Sequence, residues 1–105
     1  MSSSYPGGVK IIAGKLRGRK LRVLPKEKLR PSSNRTRETL FNWLNPHIRG
    51  AQCLDLFSGT GAIGFESVSR GASWVTMIDD DIEVVEDLRA KSVELSIDNC
   101  EIVKK

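Results

Sequence analysis

The chain has 105 residues, 39% hydrophobic and 29% charged, which bounds it to one small globular domain. No apolar run approaches the roughly 18 residues of a membrane span, and the start MSSSYPGG lacks the basic and apolar parts of a signal peptide, so a cytoplasmic protein without a membrane partner is expected. The net charge of +4 is unevenly spread: residues 1–50 hold 12 Lys/Arg and 2 acids, whereas residues 51–105 hold 5 and 11. A basic first half joined to an acidic second half suggests that the first meets a polyanion and the second a small cofactor. Cys53 and Cys100 lie far apart and lack metal-ligand spacing. They read as reduced thiols, and no metal site is expected.

Residues 1–8 are rich in Ser, Gly and Pro and are expected to be a disordered tail. Residues 9–31 read as a basic hairpin and linker. VKIIA (9–13) and RKLRVL (19–24) have strand character, with a turn over Gly14–Gly18 between them. The exposed side of this hairpin would carry Lys15, Arg17, Arg19, Lys20 and Arg22, which suits phosphate contacts as well as it suits a solvated surface. Residues 32–105 form the remaining unit. Ser33 or Asn34 can cap a helix that brings Leu40, Phe41 and Leu44 to the core, with Pro46 expected to stop it and His47 in the loop beyond. Arg30, Arg35 and Arg37 stand before or early in this helix, where cations oppose its dipole. They are expected to serve an anion or an internal carboxylate such as Glu38 or Asp55.

QCLDLFSGTGAIG (52–64) begins as a strand and ends as a helical turn. Gly59, Gly61 and Gly64 have G-x-G-x-x-G spacing, and an acid, Asp79, follows the first glycine by about 20 residues. Read as a site, the loop comprises Asp55, Phe57, Ser58, Gly59, Thr60, Gly61 and Gly64. Alternation places Cys53, Asp55 and Phe57 on one strand face and Leu54 and Leu56 on the other. A buried Asp55 needs a donor or a cation. It would repel a dinucleotide's pyrophosphate, but it favours the amino group and sulfonium of S-adenosylmethionine; pairing with an internal arginine is the alternative. A helix over 62–70 ends at Gly71, and WVTMI (74–78) is a second strand. Asp79, Asp80 and Asp81 then precede a helix over 82–96 with Val85, Leu88 and Leu95 inward, and EIV (101–103) starts a third strand. Asp80 and Asp81 suit helix capping as well as binding. The β-α-β-α-β order argues an α/β fold with a doubly wound, mostly parallel sheet.

DLFSGTGAIG (55–64) resembles motif I of class I methyltransferases, in the variant found among amino-group methylases. LRPSSNRTRETLFNWL (29–44) and IIAGKLRGRKL (11–21) resemble the bacterial 16S ribosomal RNA guanine-N2 methyltransferases of the RsmD type, and the likeness runs over residues 9–105. It implies a Rossmann-like sheet with an N-terminal β-hairpin extension and S-adenosyl-L-methionine as cofactor. The partner implied is 16S rRNA, in the small ribosomal subunit or an assembly intermediate, and the full-length enzyme would be monomeric. By family position Asp79 would hold the ribose hydroxyls and Asp80 would lie near the adenine edge, while the basic hairpin and Arg30, Arg35 and Arg37 would lie on the RNA face. The family's catalytic Asp/Asn-Pro-Pro-aromatic motif has no counterpart, since no Pro-Pro pair occurs. The chain is therefore expected to be the N-terminal half of such an enzyme, with no catalytic residue of its own. Its first parallel strand would have an unpaired edge and uncovered apolar faces, making it weakly stable and prone to self-association.

Overall fold

In β4 (Trp74–Asp79) the buried Val75, Met77 and Asp79 alternate with the less buried Trp74, Thr76 and Ile78, the period-2 pattern of a strand covered on one side. The computed structural model describes residues 8–25 and 33–105. In it β4 is the centre of a parallel sheet of order β3-β4-β5, with β3 at Gln52–Leu56 and β5 at Cys100–Lys104. The register pairs Asp55 with Met77 and Leu56 with Ile78, and sets Asp79 opposite Lys104. Helix α2 (Ala62–Ser69) joins β3 to β4 and packs on both, and α3 (Ile82–Glu94) joins β4 to β5 and packs on both. Right-handed crossovers along a sheet built in one direction put both helices on the same face. Their apolar side closes over Val75, Met77, Phe65, Val68, Val85 and Leu88, all at 0% exposure. Asp81 caps α3 by accepting from the Glu83 N–H at 2.9 Å, the capping alternative for that residue.

Helix α1 (Asn34–Ile48) packs against α2, with the Arg70 guanidinium 4.7 Å from the ring centre of the buried Phe41. Ser33 is its N-cap and accepts from the Thr36 N–H at 3.0 Å. The expected stop at Pro46 does not occur, because the helix runs on to Ile48 and His47 lies within it. Proline's fixed φ is helical. The bond it forgoes is the one to the carbonyl of Asn42, an exposed residue where water can replace it. The buried Ile48 then anchors the final turn.

The N-terminal hairpin is present in antiparallel form but is much shorter than expected: β1 (Val9–Lys10) pairs with β2 (Lys20–Leu21). The chain between them is held otherwise. The Ile11 N–H donates to the Arg19 carbonyl, and the Lys15 N–H and the Leu16 N–H donate to the Ser69 carbonyl and hydroxyl, each at 2.9 Å. Gly14, at φ +88°, leaves no room for a Cβ, which would meet the Ser69 carbonyl oxygen at 1.9 Å. The basic linker over 26–31, and the disordered-tail expectation for residues 1–7, fall outside the described residues.

Among the described residues the sheet face away from the helices is open, with Leu54 62% and Leu56 56% exposed on β3, one of the two edge strands. Burying such side chains is worth about 1.5–3 kcal/mol each, and an unpaired strand edge beside them invites another chain. The chain is therefore expected to self-associate as its concentration rises, and Leu54→Lys with Leu56→Lys is expected to restore a monomer. Sedimentation analysis checks this; a concentration-independent monomer of the unaltered chain would refute it.

Candidate cofactor turn and basic arm

At the C-terminal end of β3 the backbone leaves the sheet at once. Phe57 takes φ 58°, so it abandons the strand alternation, does not share the face of Cys53 and Asp55, and stands 80% exposed. The turn that follows is fastened to β4. The Ser58 N–H donates to the Ile78 carbonyl at 2.9 Å, and the Gly59 N–H donates to the Asp79 carboxylate at 3.0 Å. The other Asp79 oxygen accepts from the Asp81 N–H at 3.0 Å. Asp79 thus has a role the sequence reading did not anticipate, since it ties the glycine turn to the start of α3. Asp80 beside it is exposed.

Gly61 is the N-cap of α2 at φ 85°, and a Cβ there would meet the Phe65 ring at 2.5 Å and Leu88 at 2.8 Å. The N-cap Gly61 has no side chain with which to cap α2, and no acid occupies the helix's first turn, so its N-terminus faces the turn with the positive end of the dipole. Thr60 and Ser58 are buried within the turn; Thr60 Oγ1 accepts from the Ala62 N–H at 3.3 Å, and the Ser58 hydroxyl donates to the Asp55 carbonyl at 2.9 Å. Gly64 lies against Met77, whose sulfur would be 2.7 Å from an added Cβ.

Asp55 lies beneath this turn. Its Oδ2 is buried and has no hydrogen-bond partner among the described residues. Burial pushes its carboxyl pKa up, and the nearby Asp79 charge adds to that, while the Ser58 hydroxyl and the Gly64 N–H oppose it. The arginine partner weighed as the alternative is absent from the described residues, and the carboxylate keeps an unpartnered acceptor that a cationic ligand would satisfy.

The basic candidates divide. Lys15, Arg17, Arg19, Lys20 and Arg35 are exposed, and Arg30 lies outside the described residues. Arg37 cannot reach a surface ligand, because it is fully buried. It donates to the Lys10 carbonyl at 2.9 Å, to the Asn34 side chain, and to Glu66 at 3.4 Å. Burial lowers its pKa, with Glu66 opposing. Arg22 is exposed but engaged, at 3.1 Å from Asp87 and 2.8 Å from Glu94, contacts that raise its pKa. The Arg19 guanidinium donates to the Glu94 carbonyl at 3.2 Å.

Glu66, Asp87 and Lys91 are the residues that sequence reasoning missed. Glu66, at 0% exposure, accepts from the Ile12 and Ala13 N–H groups at 2.9 and 3.0 Å and from Arg70 at 2.7 Å, in addition to Arg37. Helix α2 thus starts at the glycine turn and fastens the arm farther along its length. Glu66 with Arg70, and Asp87 with Lys91, have i,i+4 spacing, which was visible in the sequence but reads as ordinary surface pairing.

The family model Conserved hypothetical protein 95 matches residues 9–105. Ribosomal RNA small subunit methyltransferase D of Haemophilus influenzae is 46% identical over 101 residues, 94% of this chain and 52% of the relative. Its namesake from Escherichia coli K12 is 47% identical over 100 residues, 95% of this chain and 50% of the relative. A solved Escherichia coli structure, of the candidate methyltransferase yhhF, superposes with a TM-score of 0.84 at 46% identity, covering 92% of this chain and 52% of that one. The chain spans about half the length of the curated relatives it matches.

Proposed function

We propose, for a chain that belongs to the Conserved hypothetical protein 95 family of RsmD-type methyltransferases, that the whole protein uses S-adenosylmethionine to methylate the N2 amine of a guanine in 16S ribosomal RNA. The observation that carries the cofactor assignment is the half-buried Asp55 beneath the glycine turn, whose Oδ2 has no hydrogen-bond partner among the described residues. A phosphate-bearing dinucleotide would meet repulsion there from Asp55, whereas an amino group or sulfonium is attracted. The residues present therefore fit the cofactor. Asp55 would take the amino group, and the turn over Phe57, Ser58, Gly59, Thr60 and Gly61 would admit the ligand close to the backbone. Asp79, which already fixes the Gly59 N–H, has lone pairs left for ribose hydroxyls, and Asp80 lies next to it.

When bound, the cofactor supplies an electrophilic methyl group and leaves as a neutral thioether. What these residues add is position: they hold the donor in one orientation against the sheet, from which an amine can be brought into line. Lys15, Arg17, Arg19, Lys20 and Arg35 supply exposed charge for RNA phosphates. We assign the group that orients the guanine amine to the part of the family's length that this chain does not span. A base in folded RNA must be swung out to reach it.

The test is calorimetric titration of the chain with S-adenosylhomocysteine, with NAD as control. Binding of the first and not the second is expected. Binding of NAD alone would overturn the cofactor reading. Transfer of labelled methyl by the full-length enzyme to 16S rRNA, with the product nucleoside identified, tests the substrate.

A further inference from the structure

Lys91 is 1% exposed in α3, and its ammonium is spent on two partners. It donates to the Thr60 carbonyl at 2.9 Å and lies 2.7 Å from Asp87 Oδ2. The Thr60–Gly61 peptide is thereby held at both ends, because its N–H donates to the Ser58 carbonyl at 2.9 Å. This peptide is the hinge between the glycine turn and α2, and its plane sets the direction of the turn's backbone. Asp87, with a side chain 6% exposed, has a second cation 3.1 Å from its Oδ1, the Nε of Arg22. Arg22 is nearly half exposed, stands on the arm next to β2, and also binds both Glu94 oxygens, at 2.8 and 3.0 Å. A continuous line of charged contacts thus runs from the arm surface through Arg22, Asp87 and Lys91 to the backbone of the cofactor turn.

We propose that Lys91 is a positioning residue of the cofactor turn and that Arg22, acting through Asp87, sets its hold, so that the basic arm and the cofactor site are energetically coupled. The inference rests on the reading that this turn holds S-adenosylmethionine. Asp87 serves two cations at once, and a phosphate that draws Arg22 away leaves it to Lys91 alone. The two ends of the line therefore respond to each other, and such coupling is reciprocal: what reaches the arm changes cofactor affinity, and cofactor changes the arm's affinity for a polyanion.

The test is a double-mutant cycle read as S-adenosylhomocysteine affinity by calorimetry, with Arg22→Ala, Arg22→Lys, Lys91→Met, the Ala/Met pair, and Lys10→Ala as a charge-matched control on the arm. Lys91→Met is expected to weaken binding by about tenfold and Arg22→Ala by about fivefold, within the usual range of coupling between sites. Arg22→Lys is expected to recover part of that loss, Lys10→Ala to change nothing, and the pair to be no weaker than Lys91→Met alone. If Lys91→Met fails to fold, Arg22→Ala against Arg22→Lys still decides. Unaltered affinity in Arg22→Ala, or strictly additive losses in the pair, would overturn the coupling while leaving the cofactor reading in place. Failure of the unaltered chain to bind would overturn that reading and this inference with it.

Discussion

Glu66→Ala is expected to destabilise the chain by about 3–5 kcal/mol, the range found when one partner of a buried ion pair is removed. A domain of this size has about 5–15 kcal/mol in all, so the variant should be largely unfolded at modest urea. The effect is large because four donors converge on one carboxylate. The Ile12 and Ala13 N–H groups would lose their acceptor, Arg70 would lose its 2.7 Å partner, and Arg37 would become a fully buried cation without a counter-charge. Arg37 has no slack to offset this, since its Nε already lacks a partner among the described residues. Glu66→Gln should be nearly as damaging, because the amide keeps the shape but loses the charge and turns an N–H₂ toward some of the four donors. Replacing Glu66 and Arg37 together by leucine and methionine is expected to recover only the part of the loss that comes from the stranded Arg37 charge, since the Ile12 and Ala13 N–H groups and Arg70 still lack their acceptor. Urea unfolding followed by circular dichroism checks the series. A Glu66→Ala loss under about 1 kcal/mol would mean that the arm and α1 are not held by this carboxylate.

Buried charge is also where the sequence was hardest to read. The glycine turn was visible because it depends on spacing along one segment, the Ser33 cap follows from a similarly local rule, and the parallel sheet follows from the alternation of strands and helices. Arg37 is different. Arg37, Phe41, Leu44 and Ile48 fall on one stripe of α1 at helical spacing, so the same periodicity that put Phe41 inside also put an arginine inside. That was a signal for an internal carboxylate, but choosing Glu66 over Glu38 or Asp55 required knowing that α1 lies on α2. Asp87 and Lys91 pose the same problem, since i,i+4 pairs are usually solvated, and only the packing of α3 on the sheet and the arm hides this one. Phe57 failed for another reason. Alternation was carried one residue past the end of β3, into a position of positive φ that a phenylalanine gives no reason to expect.

Asp55→Asn is expected to separate cofactor affinity from stability. S-adenosylhomocysteine should bind about 10- to 100-fold more weakly, since a hydrogen bond from a charged group is worth about 1.5–3 kcal/mol. The fold itself should be unharmed or slightly firmer, because the substitution removes the charge from a half-buried side chain whose Oδ2 has no partner among the described residues. The pH dependence follows from the direction of the shift. Burial raises the Asp55 pKa above its unfolded value, so the folded chain holds the proton more tightly. Between the ordinary carboxylate value and the raised one, this group's contribution to stability therefore falls as pH rises. Cofactor binding should run the other way over the same interval, strengthening as the carboxylate ionises and gains its cationic partner. Asp55→Asn should flatten both slopes. Affinity and stability titrated across that interval, for the unaltered chain and the variant, check the pair of slopes. A variant that binds as tightly as the unaltered chain, with the same pH profile, would show that Asp55 is a tolerated buried acid and not the cofactor's counter-charge.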